Sequence, residues 1–100
     1  MKNETPATKA KRLQKYITPR HRRLIAALLI GPLPREAADR VSGASNSPHY
    51  VGELRDKFFL TIKTERVERI DRDGLLTRPG IYHLDGQSRE QARLLIALNR

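Results

Sequence analysis

LPREAADRVSGASNSPHYVGELRDKFF, residues 33 to 59, is the stretch whose reading decides the fold. It divides into two short helices joined by a tight turn. Pro34 can sit in a first helical turn without losing a hydrogen bond, and Ala37, Ala38 and Val41 follow it as one small apolar face. Gly43, able to take positive φ, stands where the chain leaves that helix. Ser45 to Ser47 offer side-chain oxygens to cap the second helix, and Pro48 after Ser47 repeats the pairing of a cap with an N1 proline. Val51, Leu54 and Phe58 recur at i, i+3 and i+7, which is the stripe that helix buries. Two short helices about a glycine-bearing turn make a helix-turn-helix pattern, although such pairs also occur in folds that never touch nucleic acid.

Upstream, Thr18-Pro19 is a further N-cap and N1 pair, opening a helix through Leu24, Ile25, Leu28 and Leu29 that ends at Gly31-Pro32. Leu24 to Ile30 is apolar nearly all round, as the central helix of a core would be. It is too short for a bilayer span, and Gly-Pro-Leu-Pro is a poor signal-cleavage site. Downstream the period changes from helical to alternating: Leu60, Ile62 and Thr64 alternate with Thr61, Lys63 and Glu65. Asp73-Gly74 is a preferred pair for a type I′ turn, which predicts a hairpin of Arg66 to Ile70 with Ile81 to Leu84, a loop or bulge absorbing Leu75 to Gly80. Asp71-x-Asp73-Gly74 is not a calcium loop, because an EF-hand in that register would need acids where Arg69 and Gly80 stand. Ser88 with Gln91 three residues on reads as a capping box for a closing helix through Ala92, Leu95, Ile96 and Leu98. The order α-α-α-β-β-α describes a mostly α fold with a small β-hairpin: a winged helix-turn-helix with a three-helix core, a wing and a closing C-terminal helix.

One hundred residues suffice for one core. The absence of cysteine removes disulfides and thiolate metal sites and points to a reducing, cytoplasmic compartment. His21, His49 and His83 lie far apart, so they read as separate surface or half-buried side chains rather than a zinc site. No metal, cofactor, membrane or small-molecule substrate is expected. Neither is catalysis: the chain has no nucleophile elbow, no phosphate loop after a strand and no paired carboxylates on an apolar face.

The net charge of +9 is concentrated at one end. Before residue 24, Lys2, Lys9, Lys11, Arg12, Lys15, Arg20, Arg22 and Arg23 face Glu4 alone, whereas from Leu24 onward twelve basic residues face ten acids. Residues 1–17 therefore read as a basic, partly disordered arm and 18–100 as the folded domain. Met1 to about Ala7 lacks any periodicity. Lys9 to Tyr16 could form a helical turn or two, with Leu13, Tyr16 and Ile17 on one side, or stay flexible until it meets a partner.

GASNSPHYVGELR at 43 to 55, IKTERVERIDRDG at 62 to 74 and GIYHL at 80 to 84 resemble small winged helix-turn-helix proteins encoded in bacterial prophages and mobile elements. The resemblance implies DNA binding through the second helix of the motif, with a wing that ends in the Gly-aliphatic-Tyr-His-Leu strand. It fits a prophage-type transcriptional regulator or a replication or excision accessory factor.

With Val51, Leu54 and Phe58 inward, a step of about 100° per residue turns Asn46, His49, Glu53 and Asp56 outward and leaves Tyr50 and Lys57 at the flank. Two outward acids would repel phosphate, so base readout is assigned to Ser45, Asn46, Ser47, His49 and Tyr50 in the N-terminal part. Capping competes with base contact at Ser45 and Ser47. The phosphate candidates are Lys9, Lys11, Arg12, Lys15, Arg20, Arg22, Arg23, Lys57, Arg66, Arg69, Arg72 and Arg78, those of the wing competing with ion pairs to Glu65, Glu68, Asp71 and Asp73. Leu94 and Ala97 lie outside the stripe that a single packed face of the closing helix needs, so they are the candidate contact of a homodimer. The partner expected is double-stranded DNA. The competing reading is a protein-interaction module on the same scaffold.

Overall fold

The computed structural model describes residues 4–97. It is mostly helical, with a three-stranded sheet and a two-stranded extension of it, and among the described residues no helix is long and apolar enough to cross a membrane. In chain order the elements are α1 (Pro6–Leu13), a 3-10 turn (Gln14–Tyr16), α2 (Pro19–Ile30), β1 (Leu33–Pro34), α3 (Arg35–Ser42) and α4 (Ser47–Asp56). They continue as β2 (Ile62–Arg66), β3 (Arg69–Ile70), β4 (Leu76–Thr77), β5 (Gly80–Leu84), a 3-10 turn (Gly86–Ser88) and α5 (Arg89–Ala97). Leu98, placed on the closing helix by its period, and Lys2 lie outside the described residues.

The central helix is α2, which packs against α3, α4, α5 and β5. Leu24, Ile25 and Leu28 are buried on it, but Ile30 is 91% exposed, so the helix is less uniformly enclosed than its composition suggests. Its start is fixed by Thr18, whose hydroxyl accepts from the His21 N–H at 3.3 Å while the Thr18 N–H donates to Nδ1 of His21 at 3.0 Å. His21 is 3% exposed, not a surface or half-buried side chain. Edge-on contacts with Tyr50 and Phe58, at ring-centroid distances of 5.8 and 5.0 Å, enclose it.

Of the two readings open for Lys9 to Tyr16 the structure has the helical one, and the helix begins already at Pro6, within the stretch to Ala7 expected to lack structure; Met1 to Asn3 lie outside the described residues. Thr5 caps α1 by accepting from the Thr8 N–H, Pro6 occupies the first turn, and α1 lies along α5 with Ala10 and Leu13 buried in the common core. Ile17 is half-buried against the same core, whereas Tyr16 is 59% exposed.

The hairpin is longer and differently registered than the alternation predicts. β5 is the middle strand, paired antiparallel with β1 on one side and with β2 on the other, with Ile62 opposite Leu84 and Arg66 opposite Gly80. Beyond that base, Ile70 pairs with Leu76, so part of Leu75 to Gly80 is strand rather than loop. The tip is a three-residue loop, because Gly74 has φ 79° while Asp73 is not in the positive region a type I′ turn demands. Asp71 builds it: its Oδ1 accepts from the Asp73 and Leu75 N–H groups, each at 2.9 Å.

The closing helix likewise starts otherwise than its capping box suggests. Asp85 caps a 3-10 turn that feeds α5, and the Ser88 hydroxyl is turned to accept from the Thr61 N–H at 2.8 Å, tying the entry of β2 to α5. Ala92 and Leu95 are buried as expected. Where α4 leaves for β2, Phe59 has φ 57°, the one positive φ outside glycine among the described residues, and its ring is 52% exposed. For a bulky L-residue that conformation costs about 1–2 kcal/mol.

Candidate nucleic-acid interface

The turn between α3 and α4 is held from several directions. Gly43 ends α3 at φ 77°, and Arg23 caps the last carbonyls of that helix, donating to the Val41 oxygen at 2.9 Å and the Ser42 oxygen at 2.8 Å. Arg20 donates to the Gly43 oxygen at 3.1 Å, its guanidinium 5.6 Å from the Tyr50 ring centre. Arg20 and Arg23, read from the sequence as phosphate ligands, are thus used in building the turn. Arg22 is half-buried on the same helix.

The start of α4 is capped by a residue the sequence did not single out. Asn46 occupies the N-cap position without a side-chain capping bond; Oδ1 of Asp39, on α3, accepts from the Ser47 N–H at 3.0 Å. The Asp39 carboxyl is held below its ordinary range by the neighbouring Ser47 hydroxyl, then by that N–H and by Arg35. Ser47 is fully buried and its hydroxyl makes no well-formed hydrogen bond, which removes it from the base-reading candidates. Ser45, Asn46 and His49 are exposed, whereas Tyr50 is half-buried, packed edge-on between His21 and His49. Asn46 and His49 therefore keep the exposure that base reading needs, and Tyr50 is chiefly a packing residue.

Glu53 is not the solvent-facing acid that a helical projection makes it. Its Oε1 accepts from Nε2 of His21 at 2.8 Å and its Oε2 from Nζ of Lys57 at 3.0 Å, with Nε2 of His49 at 3.6 Å. The Thr18 N–H occupies Nδ1 of His21, so the ring's proton sits on Nε2 and points at the carboxylate. The Lys57 ammonium first and the His21 ring second hold the Glu53 carboxyl below its ordinary value. Lys57, a phosphate candidate, is itself the main neutraliser of this acid.

The remaining candidates fall into two places. Lys9, Lys11, Arg12 and Lys15 lie on α1 and the turn after it. There Arg12 grips Glu4 with both arms of its fork at 2.7 and 2.8 Å, lowering the Glu4 carboxyl, while Lys9 sits over Phe59 and Lys15 over Tyr16. Arg66, Arg69, Arg72 and Arg78 follow the hairpin, with Arg78 paired to Glu68 at 3.1 Å. Leu94 is half-buried against the core of its own chain and Ala97 is exposed.

Two arginines absent from the sequence-based set complete the arrangement. Arg35, Arg55 and Arg66 line a cavity of about 260 Å³ between α3, α4 and the sheet, together with Pro48, Thr64, Pro79, Gly80 and Tyr82. No carboxylate lines it. Arg55 is fixed by the Ile62 carbonyl at 2.8 Å and the Thr64 hydroxyl at 2.9 Å, and Arg35 by the Ser45 carbonyl at 3.2 Å. A side chain at Gly80 would lie 3.3 Å from Nη1 of Arg66, so glycine there lets the guanidinium lie over the strand. Arg35 is partly answered by Asp39 on its own helix, at 3.5 Å, while Arg55 and Arg66 make no ion pair among the described residues, and the three converging forks suit an oxyanion such as phosphate. The sequence signal for Arg35 and Arg55 is weak, since each reads as an ordinary charge on a helix flank. Comparison with protein-family models, curated proteins and solved structures finds no match to this chain, and the interface rests on its own geometry.

Proposed function

We propose that the chain binds double-stranded DNA as a winged helix-turn-helix protein, with α3 and α4 as the helix pair, α4 as the recognition helix and the β2–β5 hairpin as the wing. The observation that carries this reading is the convergence of Arg35, Arg55 and Arg66 on one cavity whose lining holds no carboxylate, Arg35 alone being shared with Asp39, and which adjoins the start of α4 through Pro48. A DNA strand passing between helix and wing would set its phosphates against these guanidinium groups while Asn46 and His49 face base edges. Withdrawal of Glu53 onto His21 and Lys57 lessens the repulsion its charge would otherwise offer that strand. A role as prophage-type regulator or replication or excision accessory factor belongs to the same proposal. So does pairing of two copies through α5, for which Ala97 offers the exposed surface. Sedimentation as a single monomeric species at micromolar concentration would remove the pairing.

The test is a salt titration of binding to mixed-sequence duplex, read by fluorescence anisotropy, for the wild type and for Arg55→Ala with Arg66→Ala. Two lost phosphate contacts should flatten the log-log salt slope by about 1.8 units. A slope unchanged in the double variant, or no duplex binding at low salt, overturns the reading.

A further inference from the structure

A second surface lies at the other end of α4 and does not rest on the DNA reading, although Arg12 and Lys57 in its lining and Lys9 and Lys15 beside it are also phosphate candidates. Tyr16 and Phe59, exposed at 59% and 52%, stand at a groove of about 450 Å³ lined also by Leu13, Arg12 and Lys57. The Phe59 ring is held out by the one strained non-glycine residue among those described. Strain of this kind persists only where the surrounding structure enforces it, and such residues cluster at binding sites and switch regions. Arg12 and Lys57 in the lining are answered by Glu4 and Glu53; beside the groove Lys15 and Lys9 make no ion pair among the described residues, Lys9 standing in the adjoining pocket with Glu4 and Glu90 and helping Arg12 to lower the Glu4 carboxyl. Lys9 and Lys15 lie over the Phe59 and Tyr16 rings, 4.5 and 5.2 Å from the ring centres.

We infer that this groove docks an acidic peptide segment of a partner protein, one apolar side chain entering between Tyr16 and Phe59 while flanking carboxylates meet Lys9 and Lys15. Charge selects this occupant. The segments Met1-Lys2-Asn3 and Leu98-Asn99-Arg100 carry one lysine and one arginine and no acidic side chain, so neither supplies side-chain carboxylates for Lys9 and Lys15. The hairpin tip of a second copy exposes Ile70, Leu75 and Leu76, but Arg69 and Arg72 balance Asp71 and Asp73 there. A nucleobase would need partners for its polar edge, and apart from the tyrosine hydroxyl the lining side chains offer only cations and hydrocarbon.

The test uses two fluorescein-labelled peptides of Asp and Glu, one carrying a Phe and a Leu at its centre and the other Ser at both places. The apolar peptide should bind the wild type at least about tenfold more tightly than the serine peptide. Phe59→Gly should abolish that preference while its melting temperature holds or rises, since glycine relieves the strain, and its duplex affinity should stay unchanged. Should Phe59→Gly fail to fold, Tyr16→Ser carries the same expectation. Lys9→Glu with Lys15→Glu should weaken both peptides. Equal binding of the two peptides or a preference surviving in Phe59→Gly overturns the inference. So does Phe59-dependent binding of oligo(dT) tighter than that of the peptide, or self-association that Phe59→Gly abolishes. Loss of duplex binding with the peptide preference intact would instead strike only at the DNA reading.

Discussion

His21 on α2 and Glu53 on α4 meet at 2.8 Å, Nε2 to Oε1, and this one contact joins the cap of the central helix to the proposed recognition helix. The ring is nearly closed to solvent and the carboxylate one-fifth exposed, so the hydrogen bond is only partly screened. His21→Ala removes the buried ring, its contacts with Tyr50 and Phe58 and one partner of Glu53. The expected loss is about 3 kcal/mol, measured by urea denaturation. A loss within that of an ordinary surface substitution would show that α2 and α4 are held by apolar packing alone.

The pH dependence of stability has a definite sign. Because the native Glu53 carboxyl titrates below its ordinary value of 4.5, the unfolded chain takes up the proton first. The stabilisation is complete above about pH 4.5 and is lost as pH falls through the lowered native value. Asp39 acts in the same direction from its ordinary value of 3.8. Glu53→Gln should therefore flatten the upper part of the acid limb of the melting-temperature profile and leave the Asp39 part below it. An unaltered profile would mean that Glu53 titrates alike in the folded and unfolded chains.

Asn46 and His49 should carry sequence preference. Each Ala variant is expected to lose about 1–3 kcal/mol of discrimination at one base pair while largely keeping its affinity for mixed duplex. Selection from a randomised duplex library reads this directly. A preference that survives in both variants would place base reading elsewhere.

Arg69 and Arg72, exposed on the hairpin extension and its tip, should act on phosphate. Replacing both by Ala is expected to lower the salt slope by about 1.8 units and to weaken all duplexes alike. A shift in preferred sequence would instead make the hairpin a base reader.

Truncation before residue 17 should unfold the domain as well as weaken DNA binding, because Ala10 and Leu13 belong to the core. Removing two buried side chains and their helix is expected to cost about 3 kcal/mol or more, seen as a fall in melting temperature. A truncated chain as stable as the full one would return α1 to the status of an appendage. Charge-only changes such as Lys11→Ala separate the electrostatic part.

The sequence by itself determined the elements whose causes are local. Thr18-Pro19 starts α2 and Gly31 ends it, Gly43 closes α3, Val51, Leu54 and Phe58 bury one face of α4, and Gly74 marks the turn of the hairpin, though not as the type I′ pair with Asp73 that the dipeptide suggests. Each depends on neighbours within about two helical turns, so spacing and residue type suffice. What only the tertiary structure decided depends on residues far apart in the chain. Asp39 displaced the serines as cap of α4, α1 was drawn into the core, and Arg35, Arg55 and Arg66 converged from two helices and a strand. His21 and Glu53, thirty-two positions apart, became partners because α2 and α4 pack together. An outward projection of α4 treats every polar side chain as solvated. Burial decides otherwise: a carboxylate and an imidazole taken partly out of water are stabilised when they bond to each other, and no local pattern encodes which distant residue will stand opposite.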